Sequence, residues 1–218
     1  MLSQAEENYL KAIYNLELSN SEKVNTSLIA EQLNTKAPSV TDMIKKLAEK
    51  ELVNYEKYKG VSLSFYGKKL AVEIVRKHRL WEVFLVKKLQ YNWDEIHELA
   101  EQLEHIKSDT LIDRLDDYLE SPTHDPHGDP IPDKYGRIEE HKNVMLSSVA
   151  INNCCIVVGV KNSSSAFLKF LDTHKITLGG KLKVISKEVF DNSMRIENNN
   201  ISMSVSHQIS KNLFVKNI

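Results

Sequence analysis

The segment His97-Glu98-Leu99-Ala100-Glu101-Gln102-Leu103-Glu104-His105 is rich in side chains that ligate metal ions. On a helix advancing about 100° per residue, positions 97, 101, 104 and 105 fall within one arc of about 100°. His78 and Glu82 stand four residues apart and share one face of the preceding helical stretch. Antiparallel packing of the two helices would let six nitrogen and oxygen donors converge. Carboxylates grouped beside imidazoles, with no basic residue among them, repel unless a cation joins them. A donor set of imidazole and carboxylate without thiolate suits Mn2+, Fe2+, Co2+ or Zn2+, and many oxygens lean towards Mn2+ or Fe2+. Any one of these glutamates or histidines alone reads as a solvated or structural residue. The six together carry the metal reading.

The formal net charge of −1 hides a strong asymmetry. Residues 20–80 hold 12 basic and 7 acidic residues, residues 91–140 hold 4 and 15, and residues 141–218 hold 10 and 4. Blocks of opposite sign point to different partners for different segments. Within the first basic block a short helix opens near Pro38, with proline tolerated in the first turn. Lys36, Pro38, Ser39 and Thr41 stand at its start, where a recognition helix presents side chains to the major groove of DNA. Lys45 and Lys46 follow as phosphate contacts, and Lys57 and Lys59 fall in a loop between two strands. The competing reading is a compact three-helix core with solvated lysines, used to contact protein.

These residues need elements to position them. Helices are expected over residues 3–18, opened by Ser3 and Glu6 at capping-box spacing, then over 26–33 and 38–50. Strands follow at 52–56 and 61–64. This order is a winged helix-turn-helix. Longer helices are expected over 67–89, 92–106 and 108–120, with Leu111, Ile112, Leu115 and Leu119 as an apolar stripe on the last. That is more apolar face than one small domain buries, which suggests a homodimer. Residues 121–136 carry Pro122, Pro126, Pro130, Pro132, Gly128 and Gly136, a turn-rich loop into which His124 and His127 fit as packing residues. Strands at 156–160, 181–185 and 201–205, with a helix at 164–173, suggest a small, partly open β-barrel. The adjacent Cys154 and Cys155 exclude a disulfide scaffold and a thiolate zinc site. No apolar run has the roughly 18 residues of a membrane span, and no signal peptide opens the chain, so a cytoplasmic protein without membrane contact is expected. No nucleophile motif or glycine-rich phosphate loop speaks for an enzyme.

Several stretches resemble the diphtheria-toxin-repressor family of metal-dependent transcriptional regulators, including its manganese-responsive branch. They are residues 7–14 (Glu-Asn-Tyr-Leu-Lys-Ala-Ile-Tyr), Pro38-Ser39-Val40-Thr41, residues 55–60, Lys77-His78-Arg79-Leu80, Glu104-His105, Ser121-Pro122-Thr123 and Gly128-Asp129-Pro130-Ile131-Pro132. The resemblance implies an α+β chain of three parts. Residues 1–66 would form a winged helix-turn-helix, residues 67–140 a helical dimerisation and metal-binding domain, and residues 143–218 an SH3-like (FeoA-like) barrel. It implies a homodimeric repressor of metal-uptake genes that binds palindromic double-stranded operator DNA when loaded with Mn2+ or Fe2+. The alternative is a winged-helix regulator answering a non-metal ligand or a protein. Carried over by position, His78, Glu82 and His97 belong to one metal site, and Glu101, Glu104 and His105 to a second that Asn8 completes. Two departures stand out. Asn8 replaces the methionine or aspartate of the family, and Lys11 stands where the manganese branch has a ligand glutamate.

Overall fold

The structure is a computed structural model that describes residues 2–19, 24–56, 59–138 and 143–218. Lys57, expected to touch DNA from the wing, lies outside the described residues. The chain forms two compact units. The first comprises Met1–His78, Glu101–Arg114 and Pro132–Arg137, and the second Arg79–Ala100, Leu115–Ile131 and Ile138–Ile218.

The first unit opens with α1 (Gln4–Ser19), α2 (Thr26–Gln32) and α3 (Ala37–Glu49). The capping box closes as expected: Ser3 N donates to Glu6 Oε2 at 2.9 Å and Glu6 N to Ser3 Oγ at 3.3 Å. Asn25 caps α2 by accepting from Leu28 N at 2.9 Å. Val40, Ile44 and Leu47 of α3 are fully buried in one core with Leu10 and Ile13 of α1 and Ile29 of α2. The wing is the antiparallel pair β1 (Val53–Glu56) and β2 (Gly60–Leu63), with Val53 opposite Leu63. Gly60 turns into β2 at a φ of 97°, which a residue with a Cβ adopts only under strain. Glu17 of α1 accepts from Leu63 N at 2.8 Å, tying the wing to the first helix.

Helix α4 spans Phe65–Leu89, α5 Ile96–Leu103 and α6 Asp109–Tyr118, and each contributes residues to both units. Near the start of α4, Gly67 lies where a Cβ would meet Leu52 O at 1.9 Å, so only glycine fits. Helix α5 is shorter than its expected 92–106. Residues 92–95 form a turn, in which the Glu95 carboxylate accepts from the Asn92 backbone and side chain, both at 3.2 Å. Ile106 N bonds to Leu103 O in an i→i+3 turn that ends the helix. Glu104 and His105 therefore sit just past α5 and not on its regular face.

The second unit is built on a six-stranded antiparallel sheet of order β3-β8-β4-β5-β6-β7. Its strands are β3 (Val144–Met145), β4 (Cys154–Val160), β5 (Lys181–Lys187), β6 (Met194–Asn198), β7 (Ile201–Val205) and β8 (Leu213–Asn217). The sheet stays open, with β3 and β7 as its edges. Its core includes Val157, Leu182, Val184, Ile196 and Val215, with Leu168 and Leu171 of α7 (Ser165–Thr173). Strand β4 bulges between Val157 and Gly159. There the proline-rich loop crosses it: Val160 N donates to His127 O at 2.8 Å. A Cβ on Gly128, whose φ is 89°, would stand 2.1 Å from Val158 O. Glycines at 128 and 159 permit this backbone approach and thereby fix where His127 stands.

Candidate metal centres and nucleic-acid face

In the first unit, His78, Glu101 and Glu104 bring one ligand-type atom each within 4.8 Å of the others. Lys11 of α1 stands among them. Its Nζ donates to Glu104 Oε2 at 2.6 Å and to Glu101 Oε1 at 2.8 Å, and lies 3.1 Å from His78 Nδ1. His78 Nδ1 is also 2.6 Å from Glu104 Oε2. A protonated Nδ1 donates to that carboxylate, and an unprotonated one accepts from Lys11. Lys11, His78 and Glu104 are buried, and Glu101 is half-buried.

Beside this knot, two acceptors are left over. Asn8 Oδ1 and Glu104 Oε1 are buried without a hydrogen-bond partner among the described residues. Buried acceptors in that condition are costly, and a cation is one kind of partner that satisfies an oxygen acceptor. His105 donates from Nδ1 to Glu7 Oε2 at 2.6 Å, which fixes the ring and leaves Nε2 as its coordinating nitrogen. Oxygens of Asn8 and Glu104 and a nitrogen of His105 are donor types that suit Mn2+ or Fe2+.

The second unit contains Glu82 and His97, with His97 Nδ1 3.7 Å from Glu82 Oε1. Glu82 is joined by two residues of the proline-rich loop. Glu82, Asp125 and His127 are all buried, with ligand-type atoms within 4.8 Å of one another. His127 donates from Nε2 to Trp93 O at 2.9 Å, and its Nδ1 lies 3.6 Å from Glu82 Oε2. A backbone carbonyl on one ring nitrogen orients the other as a ligand. Burial pushes the Asp125 carboxyl up to about 7, and the neighbouring Glu82 and Asp129 add to this against the pull of Arg79 and His127. Burial opposes charge on His127, but contact with Glu82 and the Asp125 charge outweigh it and lift the imidazole to about 9. Asp125 also shapes the loop, since its Oδ1 accepts from His127 N at 2.8 Å and Asp129 N at 3.0 Å.

Reading from sequence gave His127 a packing role and did not single out Asp125. The clue was present in Gly128: a glycine inside a proline-rich loop marks a close backbone crossing, and hence a loop held rigidly enough to carry ligands. The seven expected metal residues fall as follows. Asn8, His78, Glu101, Glu104 and His105 belong to the first unit, and Glu82 and His97 to the second.

The expected DNA-contacting residues other than Lys57 lie in the first unit. Lys36, Pro38, Ser39, Lys45, Lys46 and Lys59 are exposed, and Thr41 is half-buried. Several are already engaged. Thr41 Oγ1 donates to Ala37 O at 3.1 Å, Lys45 lies 3.9 Å from Asp42, and Lys59 lies 2.6 Å from Glu56. Lys46 and Lys50 stand 3.2 and 2.6 Å from Oε1 of the buried Glu6. The Lys50 contact and the Ser3 N–H draw the Glu6 carboxyl down to about 2. Part of the charge of α3 therefore holds α3 to α1.

Residues 1–61 match the family described as iron dependent repressor, N-terminal DNA binding domain, and residues 66–133 match iron dependent repressor, metal binding and dimerisation domain. An uncharacterized helix-turn-helix transcriptional regulator of Methanocaldococcus jannaschii is 38% identical over 119 residues, which are 55% of this chain and 95% of that protein. The iron-dependent repressor IdeR of Mycobacterium tuberculosis is 34% identical over 126 residues, 58% of this chain. The chain spans 54% of that repressor's length. Among solved structures, a manganese-dependent transcriptional repressor in complex with manganese is similar at a TM-score of 0.87 and 30% identity, covering 98% of this chain and all of that one.

Proposed function

The chain belongs to the diphtheria-toxin-repressor family of metal-dependent transcriptional regulators, and on that premise we propose that it is a homodimeric repressor that binds palindromic operator DNA when loaded with Mn2+ or Fe2+. The observation that carries the metal half is that two buried acceptors, Asn8 Oδ1 and Glu104 Oε1, have no hydrogen-bond partner among the described residues. Asn8 lies on α1, the first helix of the DNA-reading core, and Glu104 just past α5. A divalent ion supplies the charge that both oxygens lack.

Residues of the chain do the rest. Asn8, Glu104 and His105 hold the regulatory ion, with Glu7 orienting His105. Glu82, with Asp125, His127 and the adjacent His97, forms a second centre. Holding α1 against the end of α5 selects the arrangement in which two recognition helices of a dimer meet successive major grooves. Lys36, Pro38, Ser39 and Thr41 face the bases, and Lys45, Lys46, Lys57 and Lys59 face the phosphates. Residues 1–66 read DNA, residues 67–140 dimerise and hold metal, and residues 143–218 form the SH3-like part. Exposed Leu89, Leu111 and Tyr118 on α4 and α6 supply apolar surface for a dimer. The protein is a cytoplasmic regulator and not a catalyst, and no described helix is long and apolar enough to cross a membrane.

The test is a gel shift on the region upstream of a metal-transporter gene in the same genome, with and without Mn2+ or Fe2+. Binding only with metal is expected. Glu104→Ala should remove the metal response while circular dichroism and dimerisation stay unchanged. Metal-independent binding, or none at any metal level, would sink the proposal.

A further inference from the structure

Lys11 provides the cation that the first unit's largest ligand group otherwise lacks. We infer that its ammonium is a tethered cation permanently filling the space between His78, Glu101 and Glu104, so that this group takes no divalent ion. The inference rests on the metal reading above and narrows it, because it removes Glu101 from the ion-binding set.

The geometry carries the argument. An ammonium has three N–H bonds, and three ligand-type atoms surround Nζ at 2.6, 2.8 and 3.1 Å. Each of the three residues of this group therefore gives one ligand-type atom to the ammonium. Oxygen and nitrogen ligands bind Mn2+ or Fe2+ at distances near 2 Å, well inside the present spacing. An ion entering here would have to expel a buried ammonium, because +1 and +2 charges about 3 Å apart repel strongly in a site with little water. Glu104 divides its work. Oε2 meets Lys11 and His78, while Oε1 is an acceptor without a hydrogen-bond partner among the described residues. The lysine's stem is buried with it, with the side chain only 10% exposed. Lys11 therefore joins α1 to α4 and to the end of α5 at every metal concentration. One link of the switch is constitutive in this chain, and the response to metal rests on the remaining ions.

The experiment counts Mn2+ ions bound per subunit of the full-length protein, by electron paramagnetic resonance of the free ion during titration. Wild type is compared with Lys11→Met, Lys11→Arg, Glu101→Ala and the double variant Lys11→Met/Glu101→Ala. Lys11→Met is expected to bind one Mn2+ more than wild type, and Lys11→Arg the same number as wild type. Adding Glu101→Ala to Lys11→Met should remove the gained ion, whereas Glu101→Ala alone should leave the wild-type count unchanged. An unchanged count in a folded Lys11→Met protein overturns the inference. So does loss of one ion in Glu101→Ala alone, a comparison that decides the matter even if Lys11→Met fails to fold. If wild type binds no Mn2+ but Lys11→Met binds one, the metal-repressor reading fails and the assignment of Lys11 stands.

Discussion

Two clusters in this molecule are built from the same parts and balanced differently. His78, Glu101 and Glu104 in the first unit and His127, Glu82 and Asp125 in the second each join one imidazole to two carboxylates within 4.8 Å. The first contains Lys11, with Nζ within 2.8 Å of both carboxylates. The second is fully buried, and its arginine, Arg79, stands 3.6 Å from Asp125 while also facing Asp129 at 3.7 Å. Burial and Glu82 push Asp125 towards the neutral form, against the pull of Arg79 and His127. Side-chain type alone does not make a metal site. What decides it is whether the fold has already supplied the neutralising charge.

The largest effect should come from the second cluster. Glu82→Ala removes the residue common to both of its halves, and its Mn2+ affinity should fall by roughly a hundredfold, measured by isothermal titration. The ion held by Asn8, Glu104 and His105 should be retained. An unchanged titration curve would erase the distinction between the clusters. Next comes the loop that delivers His127. Gly128→Ala forces a Cβ against the Val158 carbonyl from a left-handed backbone, and should cost about 2 kcal/mol or more in urea unfolding. It should weaken the second cluster and spare the first.

Smaller effects test the first unit. Glu6 titrates well below its ordinary value because Lys50 and the Ser3 N–H favour the carboxylate. Its stabilisation is therefore present above the unfolded value near 4.5 and is lost as pH falls towards about 2. Glu6→Gln should lose about 1–2 kcal/mol at pH 7, with exposed lysines keeping the loss modest, and the gap from wild type should close near pH 2. The smallest change is expected on the DNA face. Lys45→Ala and Lys36→Ala should each weaken operator binding a few-fold and lower the slope of log affinity against log salt by about one. Lys46→Ala should in addition reduce stability, because its ammonium also faces Glu6.

Local rules carried the reading furthest where the chain's neighbours in sequence are also its neighbours in space. The capping box at Ser3 and Glu6, the stripe of Val40, Ile44 and Leu47, and the hairpin around Gly60 all follow from spacing. The C-terminal sheet was legible only in part. Strands β4, β5 and β7 have clear apolar patterns, whereas β6 and β8 were missed, because Met194–Asn198 and Leu213–Asn217 mix polar residues into short runs. Their pairing with β5 and β4 supplies what their patterns lack.

The residue sequence by itself determined the chemistry on offer: imidazoles and carboxylates without thiolates, a basic winged segment, and an acidic segment after it. It also determined the local elements, since capping and periodicity act within a few residues. Only the tertiary structure decided which of those groups share a space. Lys11 lies 67 residues from His78 and 93 from Glu104, yet its ammonium fills their cluster. Asp125 and His127 reach Glu82 because two glycines let a loop cross a bulged strand. Electrostatic interactions depend on distance through space and on burial, and neither is written in the order of residues.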